Sequence, residues 1–194
     1  KKVQTNSKYL KCIIETVLFL GKQNLALRGH DESTNSFNRG NFLELLDLRA
    51  QNMDSEIQLL MKSSVHSYKS PTVQNEIIEC IKNEMLADIV QEVSESLAYS
   101  IICDETTDIS VREQLSICIR YIVKADGNIE IKERFLGFID VVATTGENLH
   151  DVIKNYLQQL GINLNKMRGQ AYDGASNMSG KFNGVAARFQ EEEP

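Results

Sequence analysis

No apolar run in this 194-residue sequence is long enough to cross a bilayer. The longest near the N-terminus, Val17-Leu18-Phe19-Leu20, is a small fraction of the roughly 20 residues a spanning helix needs. No basic segment of the secretory type precedes it, so membrane insertion is not expected. CxxC pairs are also lacking. Cys12, Cys80, Cys103 and Cys118 stand far apart and spell neither a zinc finger nor a redox dithiol. Four buried, reduced thiols in an intracellular protein are the expectation. There is no basic excess. Residues 1–96 carry 11 basic and 13 acidic side chains (11 − 13 = −2), residues 97–194 carry 10 and 14 (10 − 14 = −4), and the total is −6. Neither half has the counterion-releasing surface of a dedicated nucleic-acid module. No internal repeat or low-complexity block occurs, and an initiator Met is missing. The chain stops at Glu191-Glu192-Glu193-Pro194 directly after an apparent helix, so the sequence is expected to be an excerpt from a longer protein.

The length suits one domain plus a smaller helical subdomain, with enough apolar surface to bury without disulfide or metal staples. Leu10, Ile13, Ile14, Val17, Leu18 and Leu20 fall mostly at helical spacing, and Gly21 is placed to end that helix. Leu27 to Ser36 is dense in turn formers and reads as a loop. Its His30, Asp31 and Glu32 are adjacent in one segment, which suits solvated charges better than a metal cluster. Asn41 is a cap candidate for a helix carrying Phe42, Leu45, Leu46, Leu48, Met53, Ile57, Leu60 and Met61, with a break near Asn52. A loop from Ser63 to Pro71 leads into a long helix with Ile77, Ile78, Ile81, Met85, Ile89 and Val93 on its apolar face. Met61 and Met85 read as core filler. Residues 1–96 thus form a helical N-terminal subdomain.

From Leu97 the period changes. Leu97 to Cys103 is a short apolar strand of the kind covered on both faces. Leu115, Ile117, Ile119, Tyr121 and Val123 alternate with polar residues, and Ala125-Asp126-Gly127-Asn128 turns the chain into a third strand, Ile129 to Ile139. Thr144 to Glu147 has a capping-box pattern before Leu149, Val152, Ile153, Tyr156, Leu157 and Leu160, a helix that Gly161 would stop. Met167 to Tyr172 reads as a fourth strand, and a last helix is expected to begin near Gly180.

Three strands with a hairpin, a crossover helix and a fourth strand are the connectivity of the ribonuclease H-like fold. The fold class is therefore α/β: residues 97–194 form the first part of a mixed sheet, incomplete at the C-terminus, behind an α-helical subdomain. A right-handed crossover returns the fourth strand parallel to the first. Acids at the two carboxyl ends, Asp104 and Asp173, then become neighbours, 173 − 104 = 69 residues apart in sequence. Two carboxylates so placed repel, and a divalent cation between them is one answer, magnesium being suited to hard oxygen ligands. The same residue types also follow strands as turn and cap formers. Glu105 and Asp108 read that way, whereas Asp104 and Asp173 are open to either reading. Gly174 to Lys181 does not make a phosphate loop, because five residues separate Gly174 from Gly180 and Phe182 follows the Lys.

Four blocks, Leu25 to Glu32 (LALRGHDE), Ser36 to Leu46 (SFNRGNFLELL), Cys103 to Ser110 (CDETTDIS) and Tyr172 to Val185 (YDGASNMSGKFNGV), together resemble the hAT-like transposase proteins of eukaryotes. The nearest subgroup has a core domain of unknown function and includes zinc finger MYM-type-like host proteins. The resemblance implies a ribonuclease H-like core with an Asp-Asp-Glu triad, Asp104 matching the first acid and Asp173 the second, both as catalytic residues and as ligands of Mg2+ or Mn2+. Its third acid, a Glu, would lie beyond Pro194, and its DNA-binding zinc finger would precede this region. It further implies cleavage at transposon ends and strand transfer to target DNA by the full-length protein, a homo-oligomer on DNA, and a nuclear location. The alternative is a domesticated, catalytically inactive scaffold that acts through protein contacts.

Overall fold

The computed structural model describes residues 2–51, 53, 55–62, 68–107, 113–125, 127–180 and 183–192. It divides into two compact units, residues 1–84 and 85–194.

In the first unit, helix α1 (Lys2–Lys22) buries Tyr9, Cys12, Ile13, Thr16, Val17 and Leu20, one stripe at helical spacing. Its stop is Asn24 rather than Gly21: Asn24 takes the left-handed conformation (φ 54°), and the Leu25 amide closes on the Leu20 carbonyl at 2.9 Å. The loop that follows meets itself again before α2 (Asn41–Ala50). A Cβ on Gly29 or Gly40 would fall within 3 Å of the other segment's backbone, so these two glycines let the strands of loop touch. Gly40, at φ 96°, is the cap residue of α2. Asn41, the expected cap, instead donates to the Ala26 carbonyl at 2.8 Å. Asp31 accepts from the Ser33 amide at 2.9 Å, a local turn bond.

The break expected near Asn52 is present: the second helical stretch is two helices, α2 and α3 (Ser55–Lys62). The side chains of Ile57 and Met61 lie outside the described residues, as do residues 63–67. Helix α4 (Pro71–Glu95) starts with Pro at its first position and the Ser70 hydroxyl accepting from the Val73 amide. Phe42, Leu46 and Ile77 join the α1 stripe in the core of this unit. Arg49 spans it at the rim, donating to the Cys12 carbonyl and the Thr16 hydroxyl while pairing with Glu15 at 2.6 Å.

The second unit takes the last turns of α4 and the sheet. Strands β1 (Tyr99–Thr107), β2 (Glu113–Ala125), β3 (Asn128–Asp140) and β4 (Met167–Ala171) lie in the order β3-β2-β1-β4. β1 and β3 each pair antiparallel with β2, and β4 pairs parallel with β1. This is the mixed α/β sheet, preceded in sequence by helices, that the element order predicts. The crossover helix α5 (Gly146–Gln159) buries Leu149, Ile153 and Leu157 against Ile101, Leu115, Ile117 and Ile119 of the sheet. Each such side chain contributes about 1.5–3 kcal/mol by burial. Its cap is Thr145, which accepts from Asn148, not the Thr144–Glu147 box. The chain ends in a four-residue turn, α6 (Ser176–Ser179), and α7 (Val185–Glu192), so the last helix begins later than Gly180.

Three other expectations change. β1 begins at Tyr99, not Leu97, and runs on through its acids to Thr107. Met85 is 59% exposed rather than core, and of the four thiols only Cys12 and Cys103 are buried, Cys80 being exposed. Between Ile117 and Cys118 the β2–β3 pairing slips by a bulge, which brings Phe135 and Phe138 onto one face with ring centroids 4.9 Å apart. Among the described residues no helix is long and apolar enough to cross a membrane.

Candidate functional site

The acids of β1 belong to the strand because they keep its alternation. Tyr99, Ile101 and Cys103 face the core, and Glu105 follows in phase, half-buried, opposite Leu115. Reading Glu105 as a turn residue is thereby corrected. Asp104 points to the other face and is exposed. Ser116, its cross-strand partner, donates from Oγ to the Asp104 backbone carbonyl at 3.1 Å. The Asp104 carboxylate has no hydrogen-bond partner among the described residues. Asp108 lies outside the described residues.

The parallel pairing of β1 with β4 ends at Ile102 opposite Ala171. Asp104 (104 − 102 = 2) and Asp173 (173 − 171 = 2) each stand two residues beyond it, Asp104 still within β1 and Asp173 past the end of β4. Asp173 is also exposed, in the loop leaving β4. Its Oδ1 accepts from the Ala175 amide at 3.2 Å, and its carbonyl accepts from the Ser179 hydroxyl at 2.6 Å. Asp173 therefore builds its own turn, with one carboxylate oxygen engaged in it.

The loop carrying Asp173 is seated on the start of α5. A Cβ at Gly146 would stand 2.2 Å from the Asn183 carbonyl oxygen and 2.9 Å from that of Asn177, so only a residue without a side chain admits this approach. From α6, the Asn177 amide nitrogen donates to Glu105 Oε1 at 2.6 Å and to the Thr144 carbonyl at 3.1 Å. Its oxygen accepts from the Met178 amide.

Burial raises the Glu105 carboxyl above its ordinary value; the Asn177 hydrogen bond opposes this, and the charges of Asp173, Glu113 and Asp104 add to it. Glu113 opens β2 opposite Thr107, and Asp140 closes β3 opposite Gln114, so the same end of the sheet gathers acid from β1, β2, β3 and the loop leaving β4. Among the described residues none of Asp104, Glu105 and Asp173 takes part in an ion pair with a basic side chain. Nor do any three His, Cys, Asp or Glu side chains among them converge closely enough to hold an ion. Exposed carboxylate oxygens crowded without a counter-charge are hard donors of the kind a divalent cation takes.

Glu105, Asn177 and Gly146 are the site residues that sequence reasoning passed over. Glu105 had a signal, the period of two continued from Cys103. Asn177 has no local signature, because its partner lies 72 residues away.

Residues 1–184 match the family described as ZMYM1/FAM200, RNase-like domain. The human and mouse proteins named 52 kDa repressor of the inhibitor of the protein kinase are each 29% identical to the chain over 197 aligned residues. Each alignment takes in 97% of this chain and 25% of the relative, so the chain spans about a quarter of the length of these curated relatives.

Proposed function

From the chain's membership of the ZMYM1/FAM200 RNase-like domain family, we propose that residues 97–194 are the first part of the catalytic core of a hAT-like transposase, or of a protein derived from one. The reaction is metal-dependent cleavage and strand transfer of DNA. The observation that carries this reading is the placement of Asp104 and Asp173, each two residues past the last parallel pair of β1 and β4 and both exposed at one sheet end.

The residues fit Mg2+ or Mn2+ as part of a donor set. Asp104 offers a carboxylate with no hydrogen-bond partner among the described residues, Asp173 offers the oxygen its turn does not use, and crowding of like charge around Glu105 favours a cation nearby. A pair of such ions, held by Asp104, Asp173 and a further acid, would supply activation of the attacking oxygen and stabilisation of the leaving one. The chain's own part is to present two exposed carboxylates just past the β1–β4 pairing, where a phosphodiester can reach them. Such a site needs a third acid besides these two. With a net charge of −6, the affinity for transposon ends and target comes from other regions of the full-length protein, which works as a nuclear homo-oligomer.

Magnesium- or manganese-dependent cleavage of transposon ends by the full-length protein tests this, beside Asp104→Asn and Asp173→Asn variants of unchanged folding. Loss of cleavage in both supports the enzyme. No cleavage by the intact protein rejects it in favour of a scaffold that acts through protein contacts. Two observations favour that second reading: Asp173 has a turn to build, and the relatives' name describes a repressor of an inhibitor rather than a nuclease.

A further inference from the structure

Once the chain leaves β4 at Ala171, strand pairing no longer holds it, and although Met178 is buried in the core beneath the sheet, Asp173 must stand at a set distance from Asp104 for two carboxylates to share an ion. The hydrogen bonds of Asp173 itself, to Ala175 and Ser179, are local and shape the loop without placing it. Asn177 reaches out of the loop. Its one amide nitrogen donates to Glu105 on β1 and to the Thr144 carbonyl just before α5.

Resting on the two-acid reading above, we infer that Asn177 is a positioning residue of the site, acting through Glu105 to set the Asp173 loop against Asp104. Glu105 suits the part because it is the next residue to Asp104 and points to the opposite face of β1. A bond to it therefore references the loop to the Asp104 backbone while leaving the Asp104 carboxylate uncovered. An amide suits position 177 because both of its N–H groups have acceptors here, one a carboxylate, which makes the stronger kind of bond. Asp at 177 has no hydrogen to donate and adds a charge beside Asp104, Glu105, Glu113 and Asp173. The close seat at Gly146, under the Asn177 carbonyl, leaves the loop little freedom to restore the contact another way.

The test is Mn2+ titration of the full-length protein, free ion being read from its paramagnetic resonance signal, with folding checked by amide exchange of the sheet. Wild type binds and Asp104→Asn does not, if the two-acid reading holds. Equal binding by these two overturns that reading, whatever happens at Asn177. Given a difference between them, Asn177→Ala is expected to weaken Mn2+ roughly 10–100-fold, the usual effect of losing an orienting partner. Asn177→Asp is expected to weaken it further. Glu105→Gln, whose carbonyl oxygen still accepts from Asn177, stays near wild type, whereas Glu105→Ala falls with Asn177→Ala and serves in its place if that variant does not fold. Wild-type affinity in Asn177→Ala overturns the inference. So does a Glu105→Gln protein that fails as Asp104→Asn fails, since Glu105 would then be a ligand itself.

Discussion

The Tyr156 hydroxyl donates to the Leu136 carbonyl at 2.9 Å, and a Cβ on Gly137 would stand 2.6 Å from the same oxygen. The crossover helix thus holds β3 beside its bulge through a contact that only glycine at 137 admits. Tyr156→Phe is expected to cost about 0.5–1.5 kcal/mol, the worth of one hydrogen bond. Gly137→Ala is expected to cost about 1–3 kcal/mol by overpacking. In the double variant the oxygen that the new methyl meets is gone, so the combined loss is smaller than the sum by at least about 0.5 kcal/mol. Urea unfolding of the four proteins measures this, and strict additivity would show that the hydroxyl and the glycine are unrelated.

Glu92, near the end of α4, accepts from Lys132 at 2.7 Å and from the Tyr121 hydroxyl, both on the hairpin. The Lys132 bond first, then that of Tyr121, holds its carboxyl below the ordinary glutamate value. A depressed folded-state value means that the contribution is complete above the unfolded-state value and is lost as pH falls through the folded one. Denaturant midpoints are therefore expected to fall on acidification below the usual glutamate range. Glu92→Gln should show lower stability at neutral pH and a shallower fall. An identical pH slope in wild type and variant would assign the acid sensitivity to other carboxylates.

Asp173 has a local structural task that is separable from chemistry. In Asp173→Asn the side-chain oxygen still accepts from the Ala175 amide, so stability should stay within about 0.5 kcal/mol. Asp173→Ala removes that bond and should cost about 0.5–1.5 kcal/mol. Asp104, whose carboxylate has no hydrogen-bond partner among the described residues, should tolerate Asn and Ala alike. Thermal melts of the four variants distinguish the two aspartates, and a large loss in Asp104→Ala would reveal a structural duty for that residue.

Gly146→Ala places a methyl against the Asn183 and Asn177 carbonyls. The expected result is faster amide exchange across residues 175–180 and 183–185 and a loss beyond the usual range of roughly 1–3 kcal/mol of an overpacked site, because backbone rather than side chain must yield. Unchanged exchange in that loop would mean that α5 and the loop shift together without strain.

Periodicity made the sheet legible. Leu115, Ile117, Ile119 and Tyr121 alternate without interruption and are all buried, while Leu149, Ile153 and Leu157 repeat at one face of α5. The ends of elements were harder to read, because there the residue type and the structural task come apart. Glu105 is chemically a turn candidate but sits in a strand, since its alternation and its partner Leu115 outweigh its polarity. Asn24 rather than Gly21 stops α1, because the left-handed position falls two residues after the helix ends. Met85 is apolar and in phase on α4, yet its own side chain is left exposed while Leu86 beside it packs against the core. The bulge beside Ile117 has no signature at all: Phe135 and Phe138, three apart, should face opposite sides of a regular strand. The two aspartates could be placed from the order of elements, whereas their tether through Asn177 depends on contacts between distant segments.

The parallel pairing of β1 with β4 has a kinetic consequence. The β2–β3 hairpin closes between Ala125 and Asn128, neighbours in the chain, whereas Ile102 meets Ala171 across 171 − 102 = 69 residues. Closing the longer loop carries the larger entropic penalty and comes later. Pulse-labelled exchange during refolding should protect Ile119 before Gln170. A chain caught partway, on a ribosome or a chaperone, would then hold a finished hairpin and two acids still far apart. The two acids would come together only once β4 had docked beside β1.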